Sequence, residues 1–358
     1  MNIFIIGDGS YTTGRKTNGF GVILPAIFEF QKKYNKFDKV FIYSNSSEGQ
    51  RQAKKKVSNL IYLTKTQIKI DFFSGLDSFS QNVSKFKKNS FDCCFICTPD
   101  HTHFEFSKKS LKNNLNTFVV KPFVLKQDHA QDLIDLQKQK KLYSYVDFHK
   151  RYDKQNILAK DKINRGEIGE ILNINVSYSQ KKINPEIIFK KWADKTNILQ
   201  YLGVHYIDLA YFLTNAKPIK VMAIGQKNYL KNKLNKNIYD SIQCIILWSL
   251  GRSKKFTQSI SVNWIDPNCS SAMSSQKYSI TGTKGTIFCE QKERGFKLIN
   301  DTSGISDINP DFCINYYRDN SLTFTGYGIE SIVGFLSDSI LYGNFKIKLS
   351  ELEVNRPT

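Results

Sequence analysis

Long hydrophobic runs are missing from this 358-residue chain. No stretch stays apolar for the roughly 20 residues that a membrane-crossing helix needs, so no membrane partner is expected. Cysteine is scarce, at seven, and the number is odd. That argues against a disulfide framework. The one tempting cluster is Cys94-x-x-Cys97 in "FDCCFICTPD". The stretch reads as a strand, and residues three apart on a strand point to opposite faces. The thiols are therefore read as small core hydrophobes. Histidine is rarer still, with five, and His101-x-His103 has no second ligand cluster, so no metal is expected. Arginine makes up only eight of the 52 basic residues. The net charge of +20 invites a nucleic-acid partner. Yet arginine is the usual reader of base edges, and the lysines are scattered through the chain. The excess reads as solvated surface, with no nucleic-acid function. The opening "MNIFII" lacks the charged start and small-residue cleavage site of a signal peptide. A soluble cytoplasmic protein is the expectation.

What is present is a core-forming composition, 41% hydrophobic and 13% aromatic. The first third alternates short apolar runs with polar, helix-compatible segments. "NIFIIG", "KVFIYS", "FDCCFICTP", "NTFVVKP" and "LYSYVDFH" read as strands. "GVILPAIFEFQKKY" and "HFEFSKKSLKNN" read as helices between them. Such alternation predicts a parallel sheet with helices on both faces, and continuous apolar strands agree with burial on both sides. From about Arg151 the pattern changes to long alternating segments such as "EILNINVSYSQ" and "SIQCIILWSL". These predict a larger, mostly antiparallel sheet. The fold class is α/β: a doubly wound Rossmann domain over residues 1–122, its sheet completed by 123–150, then an α/β domain over 151–358 with a large open sheet.

The first turn is unusual. Gly7 and Gly9 stand where a dinucleotide-binding turn carries its first two glycines, and Thr12 replaces the third. Glycines let backbone approach a pyrophosphate, and the following helix offers free N–H groups. "SYTTGRKTNGF" reads as an insertion, with Gly21 taking the third glycine's role where helix packs on strand. Ser10 falls in the turn, and Arg15 and Lys16 are candidates to face the phosphates. At the end of the second strand a carboxylate usually reads the ribose. Ser44 and Asn45 stand there instead, with Arg51 beyond, which tilts the reading from NAD toward NADP. Glu48 is the alternative ribose partner.

"FICTPDHTHFEFSKKSLKNNLNTFVVKPF" resembles the strand, Thr-Pro, His, helix, strand, Lys-Pro signature of the Gfo/Idh/MocA oxidoreductases. "YVDFHKRYD", "RGEIGEILNINV" and "YSITGTKGTIFCEQ" resemble later segments of the same family in the same order. The resemblance implies an NAD(P)-dependent oxidoreductase acting on a sugar, polyol or nucleotide-sugar, often as a homo-oligomer, dimer or tetramer. Three departures stand out: the acid usual before Lys-Pro is Val120, an Asp usual four residues before the second-domain histidine is Tyr201, and the first loop is stretched.

On this resemblance the chemistry falls to a few residues. Lys121 closes a buried strand at its C-terminal end, where ligands bind in open α/β sheets. It is the candidate to take the hydroxyl proton, provided burial lowers its pKa. His205 is the second catalytic candidate and Tyr201 a proton relay. Asp208 falls on the same helical stripe as His205 and is a candidate to orient the imidazole. Thr98, Pro99 and Asp100 follow the third apolar strand and border the cofactor; His103 is placed near the nicotinamide. Arg151 either positions substrate or braces the domain junction. Each residue also has a purely structural reading, as surface lysine, packing histidine or core aromatic. The competing functional class is a regulator or scaffold that binds nucleotide without turnover.

Overall fold

The computed structural model describes residues 1–76, 78–84, 89–251, 253–302, 304–344 and 346–352. They form two compact units: Met1–His149 with the described residues from Phe312 onward, and Lys150–Asp311.

The first unit carries strands β1 (Asn2–Ile6), β2 (Lys39–Ser44), β3 (Ile70–Ser74), β4 (Cys93–Ile96), β5 (Asn116–Val119) and β6 (Ser144–Val146). They lie in the order β3-β2-β1-β4-β5-β6, all parallel. Helices α1 (Ser10–Thr13), α2 (Ile23–Tyr34), α3 (Ser47–Thr64), α4 (Ser78–Val83), α5 (His103–Lys112) and α6 (Gln127–Lys140) alternate with them. Strand β3 is absent from the reading of the sequence. It is an edge strand, only partly buried, and Asp71 interrupts its apolar run. One sheet face packs Phe4, Phe41, Tyr43 and Cys94 against Phe79 and Phe106. Cys93 and Cys94 are buried, and burial pushes the Cys97 thiol up to about 12, as the structural reading of these cysteines requires.

The second unit contains α7 (Lys154–Asn164), β7 (Ile171–Lys181), α8 (Val204–Thr214), β8 (Lys217–Gln226), α9 (Tyr229–Leu234), β9 (Ser241–Ser249), β10 (Lys255–Asp266), β11 (Ser274–Gly282) and β12 (Thr286–Glu290). Its sheet runs β12-β11-β7-β10-β9-β8. Among the described strands of this sheet, only the β7–β10 pair is parallel. The expected period of two is realised: Ile242, Cys244, Ile246 and Trp248 point to the core while their neighbours face outward. The polar Gln258 is fully buried in that core and fully engaged. Its amide accepts from the Trp248 indole at 3.1 Å and donates to the Tyr206 carbonyl on α8 at 2.7 Å. The hairpin β13 (Lys297–Asn300) and β14 (Gly304–Asp307) ends this unit.

The remaining chain, a hairpin of β15 (Ile314–Arg318) and β16 (Ser321–Thr325) and the helix α10 (Tyr327–Gly343), belongs to the first unit, whereas the sequence reading assigned it to the second domain. The reason lies in crossover handedness. Right-handed crossovers put α5 and α6 on one face of β4, β5 and β6 and leave the opposite face without a helix of its own. That face is aromatic, and α10 covers it beside α2. Phe335 is fully buried there, with ring centroids 5.4 Å from Phe95, 5.3 Å from Phe118 and 5.4 Å from Tyr145.

Candidate active site

In the first unit the strand order reverses between β1 and β4, and the crevice beyond their C-terminal ends is where such sheets bind ligands. Gly7 makes the approach of these two ends workable. Its φ is +102°, and a Cβ there would lie 2.3 Å from the Cys97 carbonyl oxygen. Gly9 has a different reason to be glycine. A Cβ there would meet nothing within 4 Å, so the chain's own packing does not demand its absence. The cradle is open for an external group, which is the fit a pyrophosphate requires.

The insertion is an ordered structure. Ser10 begins the one-turn helix α1, and the Val22 amide returns to the Tyr11 carbonyl at 2.7 Å. Gly21 does not mediate the helix–strand packing expected of it. A Cβ there would strike the carbonyls of Tyr11 at 2.5 Å and Ser10 at 2.7 Å, so Gly21 closes the inserted loop on itself. Arg15 pairs with the buried Asp8 at 3.3 Å. Ser44 is buried at the end of β2, and its hydroxyl has no hydrogen-bond partner among the described residues. Arg51 is exposed and paired with Glu48 at 2.7 Å.

Beyond β4, the Thr102 hydroxyl contacts the Thr98 hydroxyl and the Pro99 carbonyl, each at 2.7 Å. His103 is fully buried. Its Nδ1 lies 2.7 Å from the Pro122 carbonyl oxygen and its Nε2 2.8 Å from that of Thr98. The imidazole thus clamps the loop after β4 to the turn after β5. Lys121 occupies that turn, and its peptide bond to Pro122 is cis. Burial lowers its amine to about 8, while the carboxylates of Asp100 and Asp147 pull in the opposite direction.

Asp147, Tyr11 and Asp8 are site residues that the sequence reading missed. Asp147 is buried at the end of β6. It accepts from the Tyr11 hydroxyl at 2.6 Å and from Ser331 at 2.8 Å. The phenol of Tyr11 is pushed well up by burial and by this carboxylate. The available signal for Asp147 was an acid closing the apolar run "LYSYV". Tyr11 carried none, because its partner lies 136 residues away.

In the second unit Asn197 starts the expected helix through a reciprocal pair. Its side-chain oxygen accepts from the Gln200 amide at 2.9 Å, and its Nδ2 donates to Gln200 Oε1 at 2.6 Å. The first turn, Leu199–Gly203, is a π-turn, and α8 follows directly. The wider turn takes Tyr201 out of simple phase with His205. Its ring packs among Phe189 at 5.1 Å, Trp264 at 5.7 Å and Trp192 at 6.0 Å. His205 is buried on α8. Asp208 is engaged by Arg151 rather than standing open as an acid for the imidazole alone. Both Asp208 oxygens are taken by Arg151, at 2.8 Å from Nε and 2.5 Å from Nη2. Arg151 therefore braces the start of this unit to α8, and burial raises the Asp208 carboxyl despite the guanidinium.

The first unit thus has the fold and the glycine turn of a dinucleotide-binding domain. Residues 19–148 match the model of an oxidoreductase family with an NAD-binding Rossmann fold, and residues 157–288 match the C-terminal domain of the same family. The chain belongs to the Gfo/Idh/MocA family. It is 22% identical over 201 residues to inositol 2-dehydrogenase of Rhizobium meliloti, covering 56% of this chain and 58% of that one. It is 23% identical over 247 residues to an NAD(+)-dependent scyllo-inositol 2-dehydrogenase of Bacillus subtilis, covering 68% and 69%. The first match therefore spans little more than half of its relative's length. The fold resembles scyllo-inositol dehydrogenase of Lactobacillus casei, solved with NAD(H) and scyllo-inositol, with a TM-score of 0.66 at 18% identity over 99% of this chain and 91% of that one.

Proposed function

We propose that this protein is an NAD(P)-dependent oxidoreductase interconverting a secondary alcohol and a ketone on a polyol or sugar, inositol-like rings included, with nucleotide-sugars as the wider class. The observation that carries this is the Lys121 amine. It stands at the C-terminal end of a Rossmann strand, lowered to about 8 by burial, in the field of Asp100 and Asp147. A general base working near neutral pH needs such a value.

Gly7 and Gly9 admit the pyrophosphate. Thr98 and Pro99 border the cofactor, and its nicotinamide supplies the hydride acceptor or donor when bound. Lys121 takes the hydroxyl proton as the carbinol is oxidised and returns it in the reverse direction. Asp147, held by Tyr11 and Ser331, keeps a negative charge near that amine. In the second unit His205 is the residue assigned to substrate binding, and Tyr201, packed against Phe189, Trp192 and Trp264, is the second polar group considered there. NADP is favoured by the missing acid at Ser44. We further propose a homo-oligomer, because the outer face of the second sheet exposes Met222, Ile224, Ile245 and Phe288.

The test is reduced-nicotinamide absorbance with a panel of inositols, sugars and nucleotide-sugars, for the parent and Lys121→Ala. Turnover with at least one polyol, abolished by the substitution, is the expected result. Undiminished activity in Lys121→Ala removes the assigned role. A second reading, nucleotide binding without turnover, is favoured by the packing of Tyr201 into an aromatic cluster. Tight cofactor binding with no turnover on any carbohydrate would establish it.

A further inference from the structure

In a Rossmann unit the adenosine ribose lies beside the end of the second strand. An acid there reads the 2′-hydroxyl, or a cation takes a 2′-phosphate. Here β2 ends in Ser44. The nearby acid Glu48 is engaged by Arg51 at 3.0 Å and by Gln52 at 2.7 Å. Arg51, the cation that the sequence suggested, is turned outward with 80% of its side chain exposed.

The inserted loop brings a different cation to this place. Arg15 lies against the first turn of α3, the helix that follows β2. A Cβ built on Gly49 in that turn would sit 2.9 Å from Arg15 Nη1 and 2.5 Å from Asp8 Oδ2. Any side chain at 49 would therefore displace the pair. Asp8 is 2% exposed and holds Arg15 Nη2 through Oδ1 at 3.3 Å. Its second oxygen is buried with no hydrogen-bond partner among the described residues. The carboxylate thus lies against the guanidinium and shows no edge to a ribose hydroxyl, while 26% of the Arg15 side chain remains open. The loop that carries Arg15 is itself held: Lys56 on α3 donates to the carbonyls of Thr17 at 2.8 Å and Gly19 at 2.6 Å.

We propose that Arg15 is the specificity-determining residue for the cofactor and takes the 2′-phosphate of NADP(H). Its planar fork suits a phosphate, Asp8 fixes its direction, and the positive end of the 18-residue helix α3 adds to the same field. The inference rests on the dinucleotide-binding reading of the first unit. It moves the choice between NAD and NADP from the end of β2, where Rossmann proteins usually make it, to the glycine-turn insertion.

Equilibrium binding tests it without any substrate. Kd values for NADPH and NADH are measured by quenching of intrinsic fluorescence, with 2′,5′-ADP and 5′-AMP as competitors, on the full chain, Arg15→Met and Arg15→Lys. The parent is expected to bind NADPH more tightly than NADH and to be displaced by 2′,5′-ADP at lower concentration than by 5′-AMP. Arg15→Met is expected to lose about 10- to 100-fold for NADPH, the range of a hydrogen bond to a charged group, while NADH changes less than about twofold. Arg15→Lys retains part of the preference and guards against misfolding of the methionine variant. Equal weakening of both dinucleotides would mean that Arg15 is only a clasp for the loop, and the inference fails. A parent that prefers NADH overturns it as well. If the parent binds neither dinucleotide, the cofactor reading itself fails and takes this inference with it.

Discussion

The lowered amine of Lys121 can be measured directly. With a value near 8, about one amine in ten is unprotonated at pH 7, against about one in three thousand for a lysine at 10.5. The reactive fraction is thus enriched some 300-fold. Trace labelling with an acylating reagent between pH 6 and 11, read residue by residue by mass spectrometry, gives a titration midpoint for every lysine. The midpoint, rather than the absolute rate, is the quantity to compare, because burial slows access of the reagent without moving the titration. Lys121 is expected to reach half its limiting reactivity near pH 8, and exposed lysines near 10.4. The Asp147→Asn variant fixes the sign. Asp147 stabilises the protonated amine, so its neutralisation moves the midpoint lower still. Alcohol oxidation is expected to rise with pH and level off above the same midpoint. A Lys121 midpoint at or above 10, or an upward movement in Asp147→Asn, refutes the reasoning.

Three further outcomes follow from packing. Gly7→Ala is expected to destabilise the fold by about 2 kcal/mol or more in urea unfolding. It places a Cβ at a left-handed φ and against the Cys97 carbonyl. Asp208→Asn leaves the buried Arg151 guanidinium without its carboxylate and is expected to cost about 3 kcal/mol, whereas the double variant Asp208→Leu with Arg151→Met recovers much of it. Phe335→Ala removes the ring that α10 sets among Phe95, Phe118 and Tyr145 and is expected to cost about 3–5 kcal/mol. Hydrogen exchange in that variant is expected to show α10 losing protection ahead of β1.

The sequence by itself determined the local features. Continuous apolar runs of strand length, separated by polar helical segments, dictate a parallel sheet buried on both faces, and five of its six strands stand out for that reason. The period of two after Arg151 dictates the second sheet with one face in the core. Lys121 was legible because Pro122 restrains the chain as it leaves a buried strand, and Asn197 with Gln200 because a capping pair is a matter of spacing alone. Tertiary structure decided everything that depends on a choice of distant partner. An apolar helix such as α10 can cover any uncovered sheet face, and only crossover handedness left the aromatic side of β4, β5 and β6 for it. Asp208 and His205 are three apart on one helix, yet Arg151, 57 residues earlier, takes the carboxylate. Asp147 finds Tyr11, and Asp8 and Arg15 meet over Gly49, through contacts that no local period encodes. Spacing along the chain constrains which side chains share a face, whereas the partner across the gap is set by which elements pack together, and that is where the site acquires its charges.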